Sequence, residues 1–87
     1  IAKSSPATHK LVVRHIDRPG VLAYVLDILK SANINVQEME NIIFEGAQAA
    51  VARINIDSPL PDDVFFDIKS GNKDILEVTM IANDHTS

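Results

Sequence analysis

The 87-residue sequence contains no cysteine and no tryptophan, and its only tyrosine is Tyr24. Without cysteine the chain forms no disulfide and offers no thiolate to a metal ion, which fits a cytoplasmic protein. No apolar segment approaches the ~20 residues that a membrane-spanning helix needs. Lysine and arginine number 8 against 12 aspartates and glutamates, and the net charge is −4. Because the few basic residues are also scattered, we expect neither nucleic acid nor an anionic membrane as partner.

The sequence also lacks the usual patterns of catalytic and metal-binding residues. His9, His15 and His85 lie far apart, and none is spaced from an acidic residue as a metal ligand on a helix would be. There is no glycine-rich phosphate loop and no nucleophile elbow. The predicted first and third strands have no aromatic residue on which an RNA base could stack. We therefore expect a non-catalytic domain with no metal ion and no cofactor of its own.

The hydrophobic pattern predicts four strands, at residues 10–16, 34–44, 47–57 and 74–82, with a helix after the first and another after the third. An irregular alternation at residues 38–40 predicts a bulge in the second strand. The order is β-α-β-β-α-β. Right-handed crossovers then give an α+β fold, the ferredoxin-like sandwich, with a four-stranded antiparallel sheet and two helices on one face. Within the last two strands, the residues expected to share one face are Ala50, Ala52, Ile54 and Ile56, and then Leu76, Val78 and Met80.

The helix boundaries are predicted from residues with special backbone preferences. Pro19 is expected to be the first residue of the first helix, since proline there loses no needed N–H group. Asn33 suits the exit of that helix, because asparagine tolerates the left-handed conformation, and Gly71 is expected to end the second helix. The acidic start of the second helix, Asp62-Asp63, is interpreted as charge placed favourably at the positive end of the helix dipole rather than as a cation site.

The chain divides into a predicted linker at residues 1–8, a domain at residues 9–83 and a polar tail at residues 84–87. The linker composition and the first residue, Ile1, indicate a piece of a longer protein. Two helices on one face leave the other face and both edges of the sheet open, so we expect at least a dimer. The residues expected to place apolar atoms on the open face are Val12, Ile16 and Val51.

The turn after the first strand, Asp17-Arg18-Pro19-Gly20, carries the most chemical information. It leads into a helix whose first N–H groups have no intrahelical partner, and such groups attract a carboxylate. Asp17 can accept hydrogen bonds from an ammonium group, and His15 or Asn35 can add polar contacts. Together these groups describe a site for an α-amino acid. The structural alternative is that Asp17 caps the helix, Arg18 is solvated and Asn35 satisfies a strand end.

Two segments resemble the ACT domain family, namely residues 15–22 (His-Ile-Asp-Arg-Pro-Gly-Val-Leu) and residues 32–36 (Ala-Asn-Ile-Asn-Val) followed by Met39. More narrowly, the chain resembles the C-terminal regulatory domain of D-3-phosphoglycerate dehydrogenase over about residues 9–83. The resemblance implies side-by-side pairing of two domains, with an amino-acid effector at the shared interface. The effector-binding residues implied are His15, Asp17, Arg18, Pro19, Gly20, Val21, Leu22 and Asn35.

The narrower resemblance implies allosteric regulation of serine biosynthesis, with L-serine or a related amino acid as effector and an NAD-dependent oxidoreductase as parent enzyme. Asp17 departs from this pattern, because serine-sensing members commonly carry asparagine there. Two alternatives remain open. The chain is an ACT domain of another amino-acid enzyme, such as serine dehydratase or prephenate dehydratase, or it is a structural dimerisation module that binds no ligand.

Overall fold

The structure is a computed structural model that describes residues 8–44, 46 and 48–83. The elements follow in the predicted order: β1 (Thr8–Ile16), α1 (Val21–Ser31), β2 (Val36–Ile43), β3 (Ala49–Ile56), α2 (Asp62–Ser70) and β4 (Ile75–Asn83). β1 begins at Thr8, the last residue of the predicted linker, and the domain boundaries stay a prediction. The rest of the predicted linker and the predicted tail lie outside the described residues.

The four strands form one antiparallel sheet in the order β2-β3-β1-β4. The central strand β1 pairs with β3 and with β4, and β2 pairs with the outer side of β3. The predicted ferredoxin-like topology is therefore confirmed, and β2 and β4 are its two edges. The register of β2 against β3 shifts between Val36 and Glu38, so the irregularity lies just before the predicted bulge.

Side-chain alternation along the central strands decides which face of the sheet is covered. Leu11 and Val13 of β1 are fully buried, whereas Val12 between them is only partly buried. The predicted inward residues of β3, namely Ala50, Ala52, Ile54 and Ile56, are all fully buried. The helices contribute Val21, Val25 and Leu29 from α1, and Val64 and Ile68 from α2, to the same core. Both helices therefore lie on one face, and burial of apolar area at about 25 cal/mol per Å² is their main stabilisation.

The predicted inward face of β4 is wrong at its first position. Leu76 is 45% exposed, whereas Ile75 and Val78 are buried. The register between β1 and β4 shifts between Arg14 and His15, so β4 carries one extra residue at this point. A bulge of this kind reverses the alternation locally, and here it turns Ile75 inward and Leu76 outward.

The two predicted helix ends are both present, but for different physical reasons. Asn33 has φ +64, the expected left-handed conformation. Gly71 ends α2 with φ −87, which any residue adopts. Glycine is required there for space, because a Cβ atom would collide with the Tyr24 hydroxyl group and the Asp67 carbonyl. The Tyr24 hydroxyl donates a hydrogen bond to that carbonyl at 2.7 Å, which links α1 to α2.

The face of the sheet away from the helices carries both charged and apolar side chains. Arg14 pairs with Glu77 at 3.4 Å, and Arg53 pairs with Glu40 at 3.8 Å. Surface ion pairs of this kind contribute ~0–1 kcal/mol each. The three residues expected to place apolar atoms on this face, Val12, Ile16 and Val51, are partly buried. Neither of the described helices is long and apolar enough to cross a bilayer.

Candidate functional site

The turn between β1 and α1 consists of four exposed residues, Asp17 to Gly20. Gly20 is the N-cap of α1 and has φ +90, in the left-handed region that glycine adopts readily. Nothing lies within 4 Å of a Cβ atom placed there, so the backbone conformation and not crowding favours glycine. The prediction that Pro19 is the first helical residue is wrong. The left-handed turn at Gly20 interrupts the helical path, and α1 begins at Val21.

The N-terminus of α1 is left without an internal negative partner. Its first turn has no acidic residue, and no side chain caps it. The Val21 N–H group reaches the Arg18 carbonyl at 3.4 Å, whereas the described residues provide no non-helical backbone acceptor for the N–H groups of Leu22 and Ala23. Free N–H groups at the positive end of a helix dipole are a favourable environment for a carboxylate. The alternative role of Asp17 as the cap of α1 is not what the structure has.

Hydrogen bonds hold the turn in place from both sides. The Asp17 N–H group donates to the Gln48 carbonyl at 2.9 Å, and the Ile16 N–H group donates to the Asp74 carbonyl at 2.8 Å. The Arg18 guanidinium also pairs with the Asp74 carboxylate, with 3.3 Å between Nη1 and Oδ1. The turn is thus anchored to the start of β3 and to the segment before β4. Asp17 itself is exposed.

His15 is the next-to-last residue of β1, lies on the helix-covered face and is 2% exposed, the buried polar residue of the described core. Its Nδ1 atom lies 2.9 Å from the Ile16 carbonyl oxygen. Its Nε2 atom lies 3.1 Å from Oδ1 of Asn41 on the edge strand β2. Both ring nitrogens are therefore engaged within the chain, as burial of a polar ring requires.

The contact between His15 and Asn41 spans the intervening strand β3. His15 is in register with Ala50, and Asn41 is in register with Ala52. Both alanines are fully buried, and their short side chains leave room for the imidazole and the amide to meet above them. Asn41 was not among the predicted site residues. Two alanines at alternate positions of a central strand are the signal that could have indicated such a contact.

Asn35 lies far from the turn within one chain. It precedes the start of β2, where its N–H group donates to the Asp57 carboxylate at 3.2 Å and its carbonyl accepts from the Asp57 N–H group at 3.1 Å. Val36 is in register with Ile56, whereas His15 is in register with Ala50. Six residues of β3 separate these levels, or about 20 Å at ~3.3 Å per residue. A single chain does not bring Asn35 together with His15 and Asp17.

The two apolar members of the predicted set lie differently from the turn residues. Val21 is 2% exposed and belongs to the core. Leu22 packs against that core and is partly exposed. Pro19 and Gly20 are exposed. The structure therefore groups five predicted residues in one surface region, namely Asp17, Arg18, Pro19, Gly20 and Leu22, with His15 and Val21 buried beneath it.

The edge strand β2 carries apolar side chains that the helices do not cover. Met39 and Ile43 are in register with the buried residues Ile54 and Ala50, which places them on the helix side of the sheet. They are nevertheless 40% and 57% exposed, and Phe44 after the strand is 50% exposed. We call Met39, Asn41 and Ile43 the β2 strip. It is an apolar surface with one amide in its centre, beside an unpaired strand edge.

The described part of the chain shows no arrangement of three or more His, Asp or Glu side chains that could hold a metal ion. A groove of about 610 Å³ lies between the helices and includes Tyr24, Asp27, Asp63 and Asp67 in its lining. Burial raises the pKa of Tyr24 above its usual 10.0, and the negative charge of Asp67 raises it further. None of the residues from Asp17 to Gly20 lines this groove.

Several solved structures share this architecture. The ACT domain protein from Streptococcus pneumoniae has a TM-score of 0.66 and 10% identity, and the match covers 90% of this chain and 91% of that chain. The chain has the fold of an ACT domain. No protein-family model and no curated protein sequence matches it.

Two further similar structures belong to longer proteins. The regulatory subunit of aspartate kinase from Thermus thermophilus, in a ligand-free form, has a TM-score of 0.69 and 16% identity, with coverage of 86% of this chain and 50% of that chain. A homoserine dehydrogenase from Thiobacillus denitrificans has a TM-score of 0.69 and 20% identity. The match covers 87% of this chain but only 17% of the dehydrogenase chain. At these identities the likeness shows a shared fold, and the narrower resemblance to D-3-phosphoglycerate dehydrogenase stays a prediction.

Proposed function

We propose that this chain is a non-catalytic regulatory ACT domain that binds an α-amino acid beside the turn from Asp17 to Gly20. The observation that carries the proposal is the uncapped N-terminus of α1, which has no acidic residue in its first turn and directly follows the exposed turn that contains Asp17. The N–H groups suit the ligand's carboxylate and Asp17 suits its ammonium group. A fold shared with a regulatory subunit of aspartate kinase supports this assignment.

The site is completed by a second copy of the chain. Antiparallel pairing of β2 with its copy would continue the sheet across the unpaired edge and cover the exposed Met39 and Ile43. A two-fold axis brings the start of one β2 to the end of the other. Asn35 of the second copy would then lie at the end of the sheet that carries His15 and Asp17. An effector held between two copies stabilises one relative arrangement, which tethered catalytic domains sense as a change in their own equilibrium.

The finer assignment is the regulatory domain of D-3-phosphoglycerate dehydrogenase, a cytoplasmic enzyme of serine biosynthesis, with L-serine as the favoured effector. The parent enzyme would be an NAD-dependent oxidoreductase, with NAD held outside this domain. The sequence resemblance over residues 9–83 supports this assignment. Asp17 favours a ligand whose ammonium group lies against the turn, and it repels a carboxylate placed there.

Titration calorimetry of the 87-residue chain with the twenty common amino acids tests the proposal. We expect heat from one or a few α-amino acids, L-serine among them, and none from the corresponding amines or carboxylic acids alone. Sedimentation should show a dimer at micromolar concentration. A dimer that binds no amino acid would favour the structural dimerisation module, and a stable monomer would contradict the interface.

A further inference from the structure

We propose that the groove between the two helices binds a small organic cation, namely a linear aliphatic amine that carries two or more positive charges. The groove is separate from the turn to which the proposed function assigns the amino acid, and the inference does not rest on that function. Its volume of about 610 Å³ is in the range of small-molecule sites.

The groove has an apolar floor where the two helices meet. Side chains three and four residues apart on α1 form one wall, namely Tyr24, Asp27, Ile28, Ser31 and Ala32. The first half of α2 and its N-cap form the other wall, namely Pro61, Asp63, Val64 and Asp67. Val64 is 9% exposed, and Ile28 and Ala32 are partly buried against the core. These groups offer the methylene groups of an amine an apolar surface on which to pack.

The charge around this floor is of one sign. Asp27, Asp63 and Asp67 line the groove, and its lining includes no lysine or arginine. None of the three carboxylates forms an ion pair with another described residue. Burial and then the charge of Asp67 raise the pKa of Tyr24, so this negative charge also acts on the groove lining. A cation is therefore the ligand that complements the groove electrostatically.

The spread of the charge favours an organic cation over a metal ion. Asp63 and Asp67 lie four residues apart on α2, about 6 Å along the helix axis, and Asp27 is on the facing helix. Within the described residues, no three His, Asp or Glu side chains are grouped so that they could hold a metal ion. A linear amine with several ammonium groups can place one charge near each carboxylate. An α-amino acid brings a carboxylate that these walls repel.

The experiment titrates the 87-residue chain with 1,4-diaminobutane and with spermidine, followed by calorimetry and by tyrosine emission. Tyr24 is the only tyrosine and the chain has no tryptophan, so the emission reports on the groove. The comparison ligands are 4-aminobutyrate, in which a carboxylate replaces one ammonium group, and magnesium chloride at equal ionic strength. The variants are Asp27→Asn, Asp67→Asn and the two combined. Glu77→Gln is the matched control, because it removes one exposed negative charge from the sheet face away from the helices.

We expect both amines to bind saturably with a change in tyrosine emission, and 4-aminobutyrate and magnesium to bind more weakly. Asp27→Asn and Asp67→Asn should each weaken spermidine binding about two- to fivefold, with a larger loss in the double variant. Glu77→Gln should change it less than about twofold, because salt screens charges beyond ~8 Å. L-serine titration of the same variants tests the proposed amino-acid site separately.

Three results would overturn the inference. Equal weakening by Glu77→Gln and by the groove variants would mean that the attraction is general and not local. Spermidine binding by the double variant at the parent's affinity would place the amine elsewhere. A penta-lysine peptide that changes the tyrosine emission when neither amine does would assign the groove to a protein partner instead of a small molecule.

Discussion

The two helices of this domain both begin shortly after a proline, but their first turns are built in opposite ways. In α2, Pro61 is the N-cap and the next two residues are Asp62 and Asp63. The Val64 N–H group donates to the Asp63 carboxylate at 3.0 Å. The charge at the helix start is thus neutralised within the chain. In α1 the N-cap is Gly20 and the first turn has no acidic residue, while neither helix has a side-chain hydrogen bond from its N-cap residue.

The difference separates a helix start whose charge is balanced within the chain from the one to which the proposed function assigns the ligand's carboxylate. The α2 start carries its own negative charge, and the Asp63 carboxylate already accepts the Val64 N–H group. The α1 start carries no such charge, and the hydrogen bonds to Gln48 and Asp74 hold the turn before it in place.

The largest expected effect comes from giving α1 the acidic start of α2. Ala23 is exposed in the first turn of α1, and Ala23→Asp places a carboxylate against the open N–H groups. Amino-acid affinity should fall at least tenfold, because the new carboxylate competes with the ligand's. Stability should hold or rise by ~0.3–1 kcal/mol. Ala23→Asn is the uncharged control for calorimetry and thermal unfolding. Equal affinity in the aspartate variant and the parent would mean that the ligand's carboxylate lies elsewhere.

The next effect tests the backbone of the open start. Gly20→Ala should cost about 1–2 kcal/mol of unfolding free energy in urea, because φ +90 is unfavourable for a residue with a Cβ atom. Gly46 has φ +79 and equally free surroundings, so Gly46→Ala should cost a similar amount. Only the Gly20 variant should also weaken ligand binding. If both variants bind like the parent, the turn conformation does not shape the site.

A smaller effect tests how the two helices are joined. Tyr24→Phe removes the hydrogen bond to the Asp67 carbonyl and should cost ~0.5–1.5 kcal/mol. Burial and then the charge of Asp67 raise the pKa of Tyr24 above 10.0, so the folded state favours the neutral phenol. The stabilisation is therefore complete below pH 10 and is lost as the pH rises through the folded-state value. Urea midpoints between pH 9 and 11 should fall more steeply for the parent than for the variant, and parallel curves would contradict this account.

The smallest expected effect comes from removing the negative charges in the first turn of α2. Asp62→Asn and Asp63→Asn should each lower stability by ~0.3–1 kcal/mol, and less in high salt. Amino-acid binding should be unchanged in both variants, because α2 begins far from the turn that follows β1. A loss of binding in either variant would place the site in the groove between the helices. It would contradict the proposal that the ligand binds at the start of α1 and not near the start of α2.

Much of the fold follows from local patterns. The alternation of Ala50 to Ile56 predicted the buried face of β3, and Asn33 predicted the left-handed exit of α1. Local sequence preferences gave the wrong side-chain orientation where the pairing between strands determines it. Leu76 points outward because a bulge opposite Arg14 and His15 shifts the register of β4, and no neighbour in sequence reveals that shift.

The candidate site also has one part that the local sequence determines and another that depends on strand pairing. The sequence by itself determined the turn from Asp17 to Gly20, because proline and glycine restrict the backbone through local sterics. Only the tertiary structure placed Asn41 against His15 and set Asn35 about 20 Å away at the other end of the sheet. Those relations depend on which strands pair and in what register. Strand pairing is a cooperative property of the whole core, so it cannot be read from any one segment.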